Sequence, residues 1–388
     1  MEGSAVSQNS KKQSTRLYFI DNLRVAAIMM VVAHHAAQPY GPTGGEWPLF
    51  NPERSALLDP FFPVNAAFFM GLLFMLAGYF VPASFDRKGG NLFFKERLLR
   101  LGIPLLFIGI VVFGPIIYAT NYLPQGGQLS FGPYFFLEYI GRWQVEFAHM
   151  WFVAHLLAYV IAYSLWRLIT RRQTYEPKTN TPLPGFKAIL AFTLGLAVIT
   201  TIVRFLYPID RWERLLFVIP TEIAHLPQYL SLFIIGILAY RRDWFRRLSA
   251  KTGFVWLWIG LIAAVARYAY SFGGWRLLPS ILETGGLDWR SLVWSTWESF
   301  ICVGLCVGFL ILFRERLNKR GRIMPALSSA SYSVYIIHLF VVIGLQFGLV
   351  EVDLTPFIKF ALVTLVGIPI CFTISSLIIK LPFTKKIL

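Results

Sequence analysis

The stretch LYFIDNLRVAAIMMVVAHHAA, residues Leu17–Ala37, is an apolar run of membrane-spanning length that contains four ionisable side chains. They are Asp21, Arg24, His34 and His35. A charge at the centre of a membrane helix costs at least about 2.5–3.5 kcal/mol on insertion scales, so ionisable residues within spans usually mark functional sites. We therefore interpret this run as the first membrane span and as the centre of the chemistry.

Arg24 and His35 fall on one stripe of this helix. They are eleven residues apart, which at roughly 100° per residue places them about 20° apart around the axis. Along the axis they are separated by roughly 16 Å, about half of a hydrocarbon core. His34 lies about 100° away and faces elsewhere. A neutral imidazole deep in the membrane can act as a general base toward a hydroxyl; the alternative is a histidine that only hydrogen-bonds a neighbouring helix.

The composition favours a polytopic membrane protein over a soluble one. Of 388 residues, 56% are hydrophobic and 14% are charged, and apolar runs of spanning length recur along the chain. The formal net charge of +16 resides in short basic clusters between these runs. Such clusters are typical of cytoplasmic loops, so nucleic acid is not needed to explain them. The sequence predicts an all-α bundle of about ten membrane-spanning helices.

The predicted spans leave only short tails outside the membrane domain. We expect a disordered cytoplasmic tail over residues 1–15, a transmembrane domain over 16–380 and a cytoplasmic tail over 381–388. The ten predicted spans are Leu17–Ala37, Phe61–Val81, Leu101–Ala119, His149–Ile169, Phe186–Leu206, Leu226–Tyr240, Gly253–Tyr270, Leu292–Phe313, Ser331–Val350 and Phe357–Ile379.

The distribution of Lys and Arg predicts the orientation. With the N-terminus inside, 26 of the 36 basic residues fall in segments on the cytoplasmic side and six on the opposite side. Cytoplasmic loops of membrane proteins carry such an excess. Both termini are therefore predicted to be cytoplasmic.

A second basic feature is the R-x-x-R pair of Arg97 and Arg100, in the sequence KERLLRLGIPLL. A basic loop from Arg87 to Arg100 is expected to precede the third span. Residues three apart on a helix project to one side, and arginine binds phosphate with two parallel hydrogen bonds. Ordinary anchoring at the membrane surface is the alternative, but Arg24 on the same predicted side favours a site for a phosphorylated ligand.

Four more side chains are candidates for ligand binding, three toward the outer side of the predicted bundle and His338 near the middle of its span. They are His149 and Trp151 at the start of the fourth span, Glu298 in the eighth and His338 in the ninth. The alternatives are an aromatic belt for Trp151, a hydrated carboxylate for Glu298 and structural roles for the histidines. The three cysteines lack metal-ligand spacing, so no metal site is expected.

Taken together, these motifs resemble the membrane-bound acyltransferase 3 family of multi-spanning bacterial O-acyltransferases. FIDNLRVAAIMMVVAHHA contains Arg24-x10-His35, which is similar to the Arg–His motif of the family, and Arg97 and Arg100 match its R-x-x-R. FMLAGYFVP, HMWFV and SYSVYIIH look like family landmarks at the expected places. The resemblance covers Arg16 to about Ile379.

The resemblance implies a ten-span enzyme of the bacterial inner membrane, embedded among membrane lipids. It takes an acyl group, usually acetyl, from cytoplasmic acyl-CoA to a hydroxyl of an extracytoplasmic glycan or lipid-linked acceptor. Acyl-CoA is a co-substrate, and no resident cofactor is implied. His35 would be the catalytic histidine, with His34 as the second candidate, and Arg24, Arg97 and Arg100 would hold the donor. The acceptor would meet the four further candidates, which are His149, Trp151, Glu298 and His338.

Two other functions fit parts of the pattern. A transporter or flippase for glycan or lipid intermediates could use the charged stripe as a translocation path. A non-catalytic partner of a polysaccharide synthase would not need His35. Within the acyltransferase interpretation, His35 could deprotonate the acceptor or carry the acyl group transiently, and the sequence does not choose between these routes.

Overall fold

The structure is a computed structural model that describes residues 16–41, 47–170, 180–215, 218–277, 284–384 and 387. The tail predicted over residues 1–15 lies outside the described residues. Most of the described chain is organised in ten long helices. They are α1 Tyr18–Ala37, α2 Phe69–Lys88, α3 Gly90–Tyr122, α4 Trp151–Thr170, α5 Phe186–Arg204, α6 Leu226–Arg241, α7 Ala250–Ala269, α8 Trp289–Arg316, α9 Met324–Gly348 and α10 Pro356–Ile378.

The helices confirm the prediction of an all-α polytopic membrane bundle. Within the described ranges, nine helical segments are long and apolar enough to cross a membrane. α1 is not among them because its four ionisable side chains lower its mean hydropathy, yet its 20 residues extend about 30 Å, the thickness of a hydrocarbon core. The cytoplasmic location of both termini stays a prediction.

A short β-hairpin interrupts the helical architecture. Trp212–Leu215 and Ile219–Glu222 pair antiparallel between α5 and α6. No strand was predicted from the sequence between the fifth and sixth spans, and each strand has only four residues. Two short strands give too little alternation to distinguish a hairpin from a loop.

The second predicted span differs from the observed helices at both ends. A short helix, Phe61–Ala66, precedes α2, and Phe68 between them departs from helical geometry with φ −135°. α2 then continues to Lys88, seven residues beyond the predicted end at Val81. This continuation is polar, so hydropathy alone ended the span too early.

The prediction of a basic loop between the second and third spans is wrong. Gly89 alone separates α2 from α3, and its φ of 76° lies in the left-handed region that glycine adopts without steric cost. Arg97 and Arg100 consequently lie on α3 itself.

Three π-helical turns interrupt α3, at Leu98–Gly102, Phe107–Val112 and Tyr118–Tyr122. Turns of this kind are rare and frequently occur at functional sites. The first one follows Arg97 and contains Arg100, so the R-x-x-R pair does not keep the 3.6-residue spacing on which the sequence argument relied. Both arginines nevertheless face one cavity, described below.

α1 lies inside the bundle and packs against α2, α8, α9 and α10. Its contacts with α9 follow the same order along both helices, because Arg24 contacts Ser328 and the later His35 contacts the later His338. The two helices therefore run parallel, as expected for two odd-numbered spans. We call the end near Arg24 and Ser328 the arginine end of the bundle, and the end beyond His35 the distal end.

α2 and α6 approach each other closely through two glycines. A methyl group on Gly78 would clash with the backbone carbonyl of Phe233, and one on Gly236 would clash with the carbonyl of Met75. Small residues let membrane helices pack backbone to backbone. Gly78 lies within the FMLAGYFVP motif.

Replacing Gly78 by Ala is expected to destabilise the bundle by about 1–3 kcal/mol, because the new methyl group overpacks the contact with Phe233. The measurement is the thermal unfolding midpoint in detergent. The matched control is Gly195→Ala in α5, where an added methyl group meets no atom within 4 Å. Equal midpoints for the two variants would contradict the close α2–α6 contact.

Candidate active site

A cavity of about 470 Å³ lies at the arginine end of the bundle. Arg16, Arg24, Arg97 and Arg100 line it, and we call it the arginine cavity. The structure thus brings together the three arginines that the sequence analysis selected, although they come from two helices. Arg16, which precedes α1, adds a fourth guanidinium that was not selected from the sequence.

Arg24 is held in place by its own helix and by α9. Its Nη2 donates to Oδ1 of Asp21 at 3.0 Å and to Oγ of Ser328 at 2.6 Å. Asp21 also accepts a hydrogen bond from Nε of Arg16 at 2.6 Å. One carboxylate therefore contacts two of the four guanidiniums, and the arginine cavity keeps an excess of positive charge. Such a field attracts phosphate groups.

The R-x-x-R pair is fixed by aromatic neighbours. The guanidinium of Arg97 lies over the ring of Phe93, 5.1 Å from its centroid, and a contact of this kind stabilises a cation. The hydroxyl of Tyr332 donates to the backbone carbonyl of Arg100 at 2.6 Å. Tyr332 belongs to the SYSVYIIH motif, so α9 supports both arginine sites.

Beyond the arginines, the cavity wall is mostly apolar and ends before His35. Ile28 is the last residue of α1 on the wall, and His35 lies seven residues further, about 10 Å along the axis. Phe152 and Tyr335 line the cavity as well, with ring centroids 5.5 Å apart. The hydroxyl of Tyr335 donates to the backbone carbonyl of His149. These two aromatic residues therefore lie between the arginine cavity and the histidines.

Three histidines from three segments meet deeper in the bundle, and we call His35, His149 and His338 the histidine cluster. Nε2 of His338 lies 3.2 Å from Nδ1 of His35. The ring centroids of His338 and His149 are 5.1 Å apart. The sequence analysis had selected all three residues but assigned His149 and His338 to acceptor binding, separate from His35.

The hydrogen bonds of the histidine cluster define the tautomer of His35. Nδ1 of His338 lies 2.6 Å from the carbonyl of Tyr335, which can only accept, so this nitrogen carries a proton and Nε2 accepts. Nδ1 of His35 lies 2.9 Å from the carbonyl of Val31 and therefore carries a proton, shared with Nε2 of His338. In neutral His35 the lone pair is then on Nε2.

The distal side of His35 is covered by Trp47. The indole ring stacks on the imidazole at a centroid distance of 5.8 Å, and its Nε1 donates to Oε1 of Gln346 at 2.9 Å. The amide nitrogen of Gln346 in turn donates to the carbonyl of His35 at 2.9 Å. The end of α1, the segment at Trp47 and α9 are thus connected around His35.

His34 faces a different set of neighbours, as the helical geometry predicted. Its ring packs against three phenylalanines at centroid distances of 5.2–6.2 Å, and Nδ1 lies 3.2 Å from the amide nitrogen of Asn65. The rings of His34 and His35 are 5.6 Å apart. Both histidines are half-buried. The phenylalanines are Phe61, Phe62 and Phe69.

The comparison with known protein families agrees with this geometry. The acyltransferase 3 family model, described as an acyltransferase domain, matches residues 17–376. The chain belongs to the acyltransferase 3 family. It is a multi-spanning member of that family, as the Arg24–His35 and R-x-x-R motifs predicted.

Relatives of the chain occur among curated bacterial proteins. Two of them, from Escherichia coli strains SMS-3-5 and K12, are called glucans biosynthesis protein C, and each is 25% identical to the chain over 232 residues. The match covers 58% of this chain and 58% of each relative's length. No solved structure gives a significant match.

Trp151 and Glu298 of the acyltransferase do not join the histidine cluster. Trp151 packs on Tyr229, 5.3 Å between ring centroids, and Tyr229 stacks on His225 at 5.9 Å. Nε2 of His225 donates to Oε1 of Glu298 at 2.8 Å. Trp151 and Glu298 are therefore connected only through Tyr229 and His225, in a separate region between α4, α6 and α8.

We call Arg204, Glu222, His225 and Glu298 the ionic cluster. Arg204 is fully buried and forms an ion pair with Glu298, while His225 contacts both carboxylates. Burial raises the pKa of Glu222, but the neighbouring His225 lowers it more, so its pKa lies below the usual range. The cluster joins α5, α6 and α8 to the β-hairpin that ends at Glu222.

Several residues of the site were not selected from the sequence. Ser328 and Asn65 are common polar residues, and Trp47 and Gln346 lie 299 positions apart, so no local pattern connects them. A signal was available for α9, because the SYSVYIIH motif contains Tyr332, Tyr335 and His338. Within the described ranges, no group of three or more acidic, cysteine or histidine residues is arranged to hold a metal ion.

Replacing Glu298 by Ala is expected to destabilise the acyltransferase by about 3 kcal/mol or more, because Arg204 would stay buried without its counter-ion. Thermal unfolding in detergent is the measurement. The control is Glu213→Ala, which removes an exposed ion pair with Arg211 and should cost about 0–1 kcal/mol. If Glu298→Ala is as stable as the control while acceptor affinity falls, Glu298 belongs to ligand recognition instead.

Proposed function

We propose that this membrane acyltransferase transfers an acyl group from acyl-CoA, bound from the cytoplasm, to a hydroxyl of an extracytoplasmic glycan. One observation carries the proposal. Arg24, Arg97 and Arg100 converge on one cavity, and His35 lies deeper on the helix that carries Arg24. A polyanionic donor and a base in line with it are what acyl transfer from coenzyme A across a membrane needs.

The donor binds with its phosphates at the arginine end. The fork of a guanidinium matches two phosphate oxygens, and hydrogen bonds between charged groups are about twice as strong as neutral ones. Arg97 and Arg100 take the phosphates, and Arg24 is oriented toward the same ligand by Asp21 and Ser328. The excess of lysine and arginine on this side of the predicted topology supports a cytoplasmic origin of the donor.

The pantetheine arm follows the apolar wall toward His35. Since the arginine cavity ends at Phe152 and Tyr335, these two side chains shift when the thioester reaches the histidine. Acetyl is the acyl group that the family resemblance favours, and the donor assay therefore begins with acetyl-CoA.

His35 acts as the general base of the transfer. The lone pair on its Nε2 takes the proton of the acceptor hydroxyl, and the charged imidazole that results keeps its Nδ1 proton between Val31 and His338. Two acceptors around one donor stabilise the positive charge, as the carboxylate does in a catalytic triad. His338 is therefore a positioning residue, and His149 packs behind it.

The acceptor reaches His35 from the distal end. The names of the relatives, glucans biosynthesis protein C, support a glucan as the class of acceptor. Trp47 stacks on His35 at this end, and aromatic rings commonly contact sugar rings. We propose a location in the bacterial inner membrane with both termini in the cytoplasm, on the strength of the basic-residue count.

Purified wild-type protein in nanodiscs is expected to consume acyl-CoA in the presence of a glucan oligosaccharide. His35→Ala should lower kcat by about 10²–10⁴-fold because the general base is lost.

Arg97→Ala should raise the KM for acyl-CoA about tenfold or more and leave the acceptor KM unchanged. The release of free coenzyme A thiol measures both. Arg142→Ala is the control, since Arg142 is exposed and pairs with Glu138 away from the arginine cavity. A wild type that consumes no donor with any glycan, but moves a labelled glycan across the bilayer, would establish the transporter alternative.

His338→Leu is expected to lower kcat about tenfold without changing the KM for acyl-CoA, because Nδ1 of His35 loses one of its two acceptors. His338→Gln supplies a carbonyl oxygen that can accept the same proton and should restore part of kcat. Both variants are measured by thiol release beside their thermal unfolding midpoints. Loss of kcat in proportion to loss of stability, without rescue by Gln, would reduce His338 to a packing residue.

A further inference from the structure

His34 and His35 are adjacent imidazoles held in opposite tautomers. Nδ1 of His34 lies 3.2 Å from the amide nitrogen of Asn65, which only donates, so this ring nitrogen accepts and the proton of neutral His34 is on Nε2. The same amide nitrogen lies 3.5 Å from the carbonyl of Met30. A carbonyl only accepts, so this longer contact agrees with an amide nitrogen at this position.

His35 has the reverse arrangement. Its proton is on Nδ1, between the carbonyl of Val31 and Nε2 of His338, and its lone pair is on Nε2. One imidazole therefore offers a donor at Nε2, and its neighbour in the chain offers an acceptor at Nε2.

Although the two side chains leave α1 in directions about 100° apart, their rings are close enough to contact one reacting group. Their centroids are 5.6 Å apart, and their planes are nearly perpendicular at 78°. In the described part of the chain, neither Nε2 atom has a hydrogen-bond partner, and both side chains keep partial exposure. Since a polar N–H in an apolar bundle is costly to leave unpaired, an unpaired donor beside the base indicates a ligand that completes it.

The surroundings of His34 hold the ring rigidly. Phe69 stacks on it at 5.2 Å between centroids, Phe62 meets it edge to face at 5.3 Å, and Asn65 fixes its tautomer. A donor that is oriented before the reaction costs no reorganisation when charge develops. A neutral imidazole N–H is an established type of electrophile in enzymes that polarise a carbonyl group.

We propose that Nε2–H of His34 is the oxyanion donor of the acyl transfer. The inference rests on the proposed function and gives the two histidines separate roles, with His35 as base and His34 as the group that stabilises the tetrahedral intermediate. It explains why the chain carries two consecutive histidines inside a membrane span, where each is costly.

The step balances as follows for a thioester donor and an alcohol acceptor. The acceptor O–H gives its proton to Nε2 of His35, and the acceptor oxygen forms a bond to the thioester carbon. The π electrons of the carbonyl move to its oxygen, and Nε2–H of His34 donates to that oxyanion. When the carbonyl re-forms, the carbon–sulfur bond breaks, and the thiolate takes the proton from His35. The products are the ester and the free thiol of coenzyme A.

The test compares His34→Leu with His34→Gln in the full-length protein in nanodiscs. Leu removes the donor, whereas the terminal amide of Gln can reach the position of Nε2 with an N–H. We expect kcat of His34→Leu to fall about 10²–10³-fold, His34→Gln to recover at least tenfold of this loss, and the KM for acyl-CoA to stay within about twofold. The reaction uses the acyl-CoA and glucan oligosaccharide that the wild type consumes fastest.

A second variant tests the tautomer independently of the size of the ring. Asn65→Asp replaces the amide donor by a carboxylate, which accepts from Nδ1 of His34 and so leaves the lone pair on Nε2 of the neutral ring. Its kcat is expected to fall about as far as that of His34→Leu, while Asn65→Gln keeps an amide and retains more activity. Thermal unfolding midpoints identify any variant that is merely unstable.

The outcomes separate this inference from the proposed function. If the wild type consumes no acyl-CoA, both the proposed function and the role of His34 are wrong. A wild type that is active, with His35→Ala inactive and His34→Leu within about threefold of the wild type, overturns the role of His34 alone. A stable His34→Leu variant with low kcat that Gln does not rescue also contradicts the oxyanion donor, because a packing role then accounts for the loss.

Discussion

The structure depends on the polar seam between α1 and α9. A membrane interior offers no water, so polar groups on α1 depend on partners within the protein or on a bound ligand. Arg24 meets Ser328, His35 meets His338, and the carbonyl of His35 meets Gln346. These contacts recur along two parallel helices and set their register. The same contacts orient the guanidinium of Arg24 and the imidazole of His35. The packing of the two helices therefore also sets the geometry of the site.

Features that lie within a single helix of this seam could be predicted from the sequence. The Arg24–His35 stripe follows from the helical repeat, since it lies within one helix and needs no knowledge of the neighbours. The convergence of Arg24 with the R-x-x-R pair followed from the side of the membrane that each was predicted to occupy. Helix positions along the chain followed from hydropathy, because the bilayer imposes a minimum length on each span.

Other features depend on contacts between distant residues and had no local signal. The partner of His35 is 303 positions away, so the sequence suggested His338 as an isolated candidate and assigned it to another ligand. The π turns changed the angle between Arg97 and Arg100, although the apolar wall still directed both to one cavity. Glu298 was treated as a hydrated carboxylate or a ligand contact because the fully buried Arg204 lies on a different helix.

The short connection at Gly89 has a mechanical consequence. Only one residue separates α2 from α3, so the arginine pair is not carried on a flexible loop. α2 in turn packs backbone to backbone against α6 at Gly78. The position of the arginine pair is therefore coupled through Gly89 to the contact between α2 and α6, and a change in the packing of those two helices would be transmitted to the arginine end.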